Sequence, residues 1–587
     1  MKLIFDIETN GFLNELNKIF CLEIYNIDED KTYSYSEKNM YEGIELLSKA
    51  ELLVGHNILG FDIPAINKCY PNIKLTDNTF DTLVATRLMW ADVKQDDFKT
   101  RNIPTALIGR HSLSAWGYRI GVLKGDFGET SDWSKWSEEM QSYCKQDVEV
   151  TRVLYEKILA KKYSETSLKL EHDFAKCIIK QEQLGFVFDT DKAKELYKFL
   201  NVRRIELQQQ LQEVFPPFKK VVGILIPKRD NKTKGYIKGQ PVEKIKEIVF
   251  NAGSRDHIAD RLKTIKGWKP KEFTNDGKAK VDEKVLSSLE YPEAKLLSEY
   301  LLIQKRLGML AEGDNAWLKL EKNGKIYGKV ITNGTVTGRC THFSPNVAQV
   351  CSTTAKYGKE CRELFTVPKG YLLVGADASG LELRCLASYM AKFDNGAYGK
   401  ELVQGDIHTA NQKASGLPTR NDAKKFIYSF LYGAGDKRIG EIVNGSSREG
   451  KILKQTFLKR TPALQQLRDR VGKTFRLRGF LKGLDGRELQ IRSEHSALNT
   501  LLQSCGSIIV KKATILLHEN LSHLKHGEDW GMVAHIHDEI QLQVKEELAE
   551  EVGKIAVQSI QQVKDYFNFH CELDGEYKIG NSWAETH

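Results

Sequence analysis

YLLVGADASGLELR, residues 371–384, decides how the chain is read. Tyr371 to Ala376 form an uninterrupted run of apolar and small residues, the pattern of a buried strand. That strand ends in a carboxylate, Asp377. An aspartate in this place is also a common N-cap for a following helix, so the run alone assigns no chemistry. Two more carboxylates come from HIHDEI, residues 535–540. Alternation from Met532 to Val544 predicts a hairpin with His537, Asp538 and Glu539 at its turn. Such turns are commonly just solvated. A strand end and a hairpin turn can nevertheless meet edge to edge at one site.

Between these segments Arg420, Lys424, Tyr428 and Tyr432 recur every four residues in a helical pattern. They share one helix face, two cations followed by two aromatics. That face can clamp a triphosphate with Arg420 and Lys424 and stack a base on Tyr428. A helix with a solvated basic edge and an aromatic core face has the same spacing.

The N-terminal 160 residues have a different texture. LIFDI (3–7), ELLVGHN (51–57) and Phe80 to Leu88 are the apolar runs of an α/β sheet domain. Asp6 and Glu8 lie two apart on the first strand, so both side chains reach one face. Two anions there repel unless a cation joins them. The Gly-rich turn Gly55 to Phe61 delivers Asp62, and Tyr143 and Asp147 share one face of a predicted helix. A strand Asp-x-Glu, a second Asp and a helical Tyr-x-x-x-Asp can cage two divalent ions. One ion would activate water, which Tyr143 would orient, and the other would stabilise the leaving oxygen.

Composition narrows the setting. At 587 residues the chain has room for several domains. With 41% hydrophobic and 28% charged residues it is an ordinary globular protein. Mean hydropathy is -0.42, and no apolar run near the ~20 residues of a membrane span is expected. Asp6 and Glu8 interrupt any signal-peptide core. The ten cysteines include no C-x-x-C pair, which fits free thiols in a reducing compartment. A net charge of +9 permits a polyanionic partner. The basic excess is dense in residues 219–240, where Lys219, Lys220, Lys228, Arg229, Lys232, Lys234 and Lys238 face the single acid Asp230. The Gly and Pro content of this insert predicts a loop or small hairpin.

The N-terminal set, in order within one α/β domain, resembles the DEDDy 3′–5′ exonucleases. DASGLELR, the Arg420–Lys424–Tyr428–Tyr432-Gly433 helix and HDE resemble the three polymerase motifs of the family A, polymerase I class DNA polymerases. Thr337-Gly338-Arg339, Pro345-Asn346 with Gln349, Leu484 to Arg487 and Asn499 to Gln503 match further segments of that family. GDIHTAN, FLYGAGDKRIG, LNTLLQS and the terminal NSWAETH are similar to the replicative type of short-tailed bacteriophages.

The resemblance implies a ribonuclease-H-like α/β exonuclease domain, 1–165, followed by an α+β right-hand polymerase, 166–587. Thumb would be about 191–325 with the insert 219–240; palm about 166–190, 326–395 and 497–587; fingers about 396–496. It implies template-directed DNA synthesis with proofreading, in phage genome replication. Asp377, Asp538 and the Ala378 carbonyl would hold two magnesium ions, with Glu539 as accessory carboxylate. Asp6, Glu8, Asp62 and Asp147 would hold two more; Mn2+ can substitute. Arg420, Lys424 and His408 would contact the triphosphate and Tyr428 the sugar and base. Glu382 would exclude a ribose 2′-hydroxyl. Arg339, Asn499 and Gln503 would read minor-groove acceptors, and His537 would lie near the primer end. Implied partners are primer–template DNA and deoxynucleotides, and Glu585 to His587 would contact either a replisome helicase or the active site. Some phage relatives recruit thioredoxin through a thumb insertion. Here the insert is shorter, and a basic loop on duplex phosphates is the favoured reading. A monomer in the cytoplasm of a bacterial host, free of membrane, is the expected setting. The competing readings are a nuclease with a non-catalytic polymerase region and a single-subunit RNA polymerase.

Overall fold

Strand Lys2–Thr9 is the middle of a five-stranded sheet ordered Lys31–Ser36, Ile19–Asn26, Lys2–Thr9, Leu52–Gly55, Thr79–Asp81. The first three strands are antiparallel and the last two run parallel to Lys2–Thr9. Leu3, Phe5 and Ile7 are buried against one side, with Ile44 and Leu47. Ile4 and Val54 pack on Val148 and Tyr155 of helix Glu138–Ala160 on the other. The structure, a computed structural model, describes residues 1–125 and 132–587.

Of the run Phe80 to Leu88, only Thr79–Asp81 is strand; Thr82–Met89 is helix. Asp81 causes the switch, because its side chain caps the Leu83 N–H.

Helix Glu165–Leu184 follows, capped by Ser164. The second sheet has four antiparallel strands in the order Trp530–Ile536, Glu539–Lys545, Tyr371–Ala378, Gly575–Gly580. The predicted strand runs past Ala376, so Asp377 lies within it, paired with Glu539 on one side and Glu576 on the other. The expected hairpin forms, and His537 turns it with a φ of 58°. Helices Glu165–Leu184, Ala497–Asn520 and Ala549–Tyr566 contribute to the core with this sheet, through Phe174, Ile508, Ile515, Val552 and Ala556. A run of helices from Ala397–Gln404 to Pro462–Arg478 packs on Leu381–Asp394 around Phe426, Phe430 and Phe457.

The stretch Glu494–Asn520 has the length and apolar content of a membrane span, against expectation, and 83% of its apolar window is buried. It is a core helix: Ile508, Ile509 and Ala513 are nearly inaccessible.

Residues 187–326 with 356–364 form a separate compact unit. Segment 356–364, expected in the palm, packs there. Helices Thr190–Val214, Arg255–Lys266 and Pro292–Leu307 build it. The insert is a two-stranded hairpin, Phe218–Leu225 with Val242–Ile248. Lys220 stands opposite Lys246 and Gly223 opposite Lys244, with Val221 opposite Ile245 and a bulge between Val221 and Gly223.

Candidate functional site

Two separate carboxylate sites emerge. In the first, strand alternation brings Asp6 and Glu8 to the face covered by helix Glu138–Ala160. One oxygen from each of them and one from Asp147 lie within 4.8 Å of one another. Asp62, the first residue of helix Asp62–Cys69, is buried and accepts the Ile7 N–H at 3.3 Å. The turn that delivers it approaches the sheet closely: a Cβ on Gly55 would lie 2.2 Å from Ile58 and 2.9 Å from the Phe5 carbonyl oxygen. Burial, then Asp147 and Asp62, pushes the Asp6 carboxyl well up. Burial and Asp147 push Glu8 to about 8. Burial and Asp81 push Asp62 to about 7. Burial raises Asp147 to about 6, against the pull of Lys124.

Asp147 Oδ1 is buried and has no hydrogen-bond partner among the described residues. Four crowded carboxylates, one with an orphaned oxygen, fit hard divalent cations with oxygen ligands. Tyr143 stands one helical turn before Asp147, with the Lys124 ammonium 4.5 Å from its ring centroid.

This cage predicts a pH signature. Glu8 keeps its proton up to about pH 8 when folded, but only through the ordinary carboxylate range when unfolded. The folded chain therefore binds more protons in that window and loses stability as pH rises through it. Melting midpoints of metal-free protein are expected to drop from about pH 5 to about pH 8. A divalent cation at ~100 times its dissociation constant should return about 2.7 kcal/mol. Asp6→Ala with Glu8→Ala should shrink both responses, leaving what Asp62 and the Asp377–Asp538 pair contribute. Midpoints in that variant that still follow pH and metal as in the wild type would count against the cage.

In the second site, Asp377 and Asp538 come together because the Ala378 N–H donates to the Asp538 carbonyl at 3.2 Å. Burial, then Asp538 and Glu539, raises Asp377 to about 7. Burial, then Glu382, raises Asp538. A cation relieves that repulsion, and two carboxylates with the Ala378 carbonyl fit one. Glu539 is held differently. The Trp583 Nε1–H and the Gln541 side-chain amide donate to its Oε1, each at 2.6 Å. His587 Nδ1 lies 2.8 Å from its Oε2. Burial alone would raise this carboxyl, but His587 and Trp583 hold it below its ordinary value.

Around this pair, the Tyr432 hydroxyl donates to Glu382 at 2.8 Å, and Arg339 lies 3.6 Å from the same carboxylate. The Asn499 amide donates to the Tyr432 carbonyl at 3.4 Å, and Gln503 donates to Asn499 at 2.9 Å. Arg339, Glu382, Asn499, Gln503 and Tyr432 thus form one chain of contacts. His537 is exposed at the hairpin turn. Helix Arg420–Leu431 keeps its cationic face, with Lys424 exposed. Arg420 forks onto Asp406 at 2.7 and 3.1 Å. His408 lies 6.3 Å, ring to ring, from Tyr428.

Sequence reasoning missed several groups. Asp81 accepts the N–H groups of Asn57, Leu59 and Leu83 and so shapes the turn before Asp62; its N-cap position was the available signal. Lys124 carried none. Trp583, Gln541 and Thr586 form the clamp on Glu539, with the Thr586 hydroxyl donating to Gln541 at 2.8 Å.

Residues 231–585 match DNA polymerase family A, and residues 3–159 match the RNase_H superfamily. The DNA-directed DNA polymerases of Enterobacteria phage T3 and Escherichia phage T7 are 38% and 37% identical to the chain over 705 aligned residues, with 100% of each chain covered. DNA polymerase I of Aquifex aeolicus is 26% identical, over 99% of this chain and 96% of that protein. The expected order, a ribonuclease-H-like domain and then a right-hand polymerase, holds, and the chain belongs to DNA polymerase family A.

Proposed function

We propose that this DNA polymerase extends primer 3′ ends at Asp377 and Asp538 and proofreads them at Asp6, Glu8, Asp62 and Asp147. The observation that carries the reading is the meeting of Asp377 and Asp538 at the strand–hairpin edge, apart from a second carboxylate cage. Magnesium, two ions per site, is the proposed metal, with Mn2+ able to substitute. When bound it lowers the pKa of the attacking hydroxyl or water and offsets charge on the leaving oxygen. Lys424, Arg420 and His408 bind the triphosphate, and Tyr428 packs on sugar and base. Arg339, Asn499 and Gln503 contact minor-groove acceptors common to all base pairs. His537 faces the primer end. Glu539 acts by position, both its oxygens being engaged by its own chain. In the nuclease site Tyr143 orients water. Palm, thumb and fingers follow the divisions given above, with 356–364 moved to the thumb.

An end-labelled primer on a longer template, incubated with magnesium, tests this in one gel. Extension with deoxynucleotides and shortening without them is expected. Shortening in both lanes would leave only a nuclease.

Glu382 is the proposed gate against ribose. It is held by Tyr432, so its carboxylate is fixed before nucleotide arrives. Glu382→Ala should lower discrimination against ribonucleotides by about 10–200-fold, the range for one small group in a packed pocket. The ratio of kcat/KM for the two nucleotide classes measures it.

The insert serves duplex DNA directly rather than thioredoxin. Lys220, Lys244 and Lys246 share one face of its hairpin. Replacing all three with Ala should lower the slope of log affinity against log salt by about 2.7, at ~0.9 per phosphate. Thioredoxin should neither bind nor raise processivity, as a pull-down and a processivity assay would report. The tail Glu585 to His587 belongs to the polymerase site, through Glu539, rather than to a helicase.

A further inference from the structure

The nuclease cage contains a cation of its own. Lys124 lies in the loop after helix Leu113–Ile120, and its ammonium pairs with Asp147 Oδ2. The pair is not a surface contact. The lysine side chain is 23% exposed and the Asp147 side chain 4%. The same ammonium lies over the ring of Tyr143. The loop is tied down beside it, because the Gln146 side-chain amide donates to the Leu123 carbonyl at 2.8 Å. Gly125 follows, and a Cβ there would lie 3.4 Å from the Tyr143 ring. One lysine therefore touches both Tyr143 and Asp147, the helical pair of the motif.

Two physical consequences follow from this placement. A partly buried ammonium on one of four crowded carboxylates offsets part of their repulsion. A divalent ion that takes Asp147 as a ligand must therefore compete with the ammonium. The ammonium also fixes where the Tyr143 ring stands relative to Asp147, since both hold it at once.

We propose that Lys124 is a positioning residue of the exonuclease site, aligning Tyr143 with Asp147 and competing with divalent cations for the Asp147 carboxylate. This rests on the exonuclease reading above. It makes two readouts move in opposite directions. Loss of the charge tightens metal binding, and loss of the alignment slows hydrolysis. A residue that merely stabilised the fold would weaken both.

The test uses the full chain with Lys124→Met and Lys124→Arg. Release of nucleotides from a labelled single strand is measured at saturating Mg2+. Mn2+ binding is followed by the electron paramagnetic resonance of free Mn2+, in chains that also carry Asp377→Ala to weaken the polymerase pair. Lys124→Met should cut the exonuclease rate about 10–100-fold, the usual cost of losing a partner of a metal ligand. It should also tighten Mn2+ binding about tenfold, the order expected for removing one charge from a partly buried site. Lys124→Arg, which keeps the charge, should restore most of the rate. Circular dichroism checks that each variant is folded. A wild-type rate in Lys124→Met overturns the inference, as does a loss with Mn2+ affinity unchanged or weakened. A wild-type chain that leaves single strands intact overturns the exonuclease reading itself, and this inference with it.

Discussion

Asp377→Ala is expected to abolish primer extension and leave primer shortening intact, while Asp6→Ala with Glu8→Ala does the reverse. Asp377 sits in the strand register opposite Glu539 and beside Asp538. Glu539 cannot take over its role, because Trp583, Gln541 and His587 occupy both its oxygens. The variant leaves one free carboxylate, and a cation held by one carboxylate is poorly placed. Metal-ion stabilisation of the transition state is worth several kcal/mol. Losing about 4 kcal/mol of it lowers the rate by about a thousandfold, at ~1.36 kcal/mol per decade. The exonuclease rate should change by less than about twofold, since contributions from sites without shared partners are independent. Single-turnover extension and single-strand degradation, measured on the same preparations, give both numbers. If each variant lost both activities while folded, the two carboxylate sets would be one functional unit, and the assignment of separate chemistry would be wrong.

The parts of this architecture that were legible in the sequence were local. Tyr371 to Ala376 is an apolar run, and Met532 to Val544 alternates about a polar turn; each pattern reflects its own burial. Asp6 and Glu8 were legible for the same reason, being two apart on a strand. What escaped depends on the chain returning to itself. Lys124 reaches Asp147 from a loop with no periodicity. For the tail, spacing left the active site and a helicase open, and only the folded chain shows Thr586 and His587 closing over Gln541 and Glu539. The division of the run Phe80 to Leu88 into strand and helix has a smaller cause. One capping carboxylate, Asp81, turned a β-branched stretch into a helix, so a local hydrogen bond outweighed propensity. The Ala497–Asn520 helix is buried on nearly every side, so its apolar residues form no single amphipathic stripe.

Another long-range return of the chain carries the largest expected effect on stability. Glu171, Asp485, Arg487 and Lys511 form a sealed cluster, each side chain at most 2% exposed. Arg487 reaches Glu171 and Asp485, each at 2.6 Å, and Lys511 reaches Glu171 at 2.7 Å. Lys511 also donates to the Thr332 carbonyl at 2.8 Å, and the Ser164 hydroxyl donates to the Asp485 carbonyl at 2.7 Å. The cluster thus joins helix Glu165–Leu184, the turn after Phe480–Lys482, the 332–338 loop and helix Ala497–Asn520. Two cations and two anions balance there. Glu171→Gln leaves a net positive charge out of water and should cost about 3–5 kcal/mol. For a cooperative unit of several hundred residues, at ~2.1 cal/mol/K each, the melting midpoint should fall by about 3–5 °C. Lys511→Met alone leaves a net negative charge and should cost a similar amount. The double variant Glu171→Gln with Lys511→Met restores neutrality, because Arg487 keeps Asp485. It should cost less than the sum of the two single changes by about 1–3 kcal/mol, the coupling found between groups of one network. Strict additivity in that cycle would mean that the charges are solvated in solution and that packing, not ion pairing, joins these four elements.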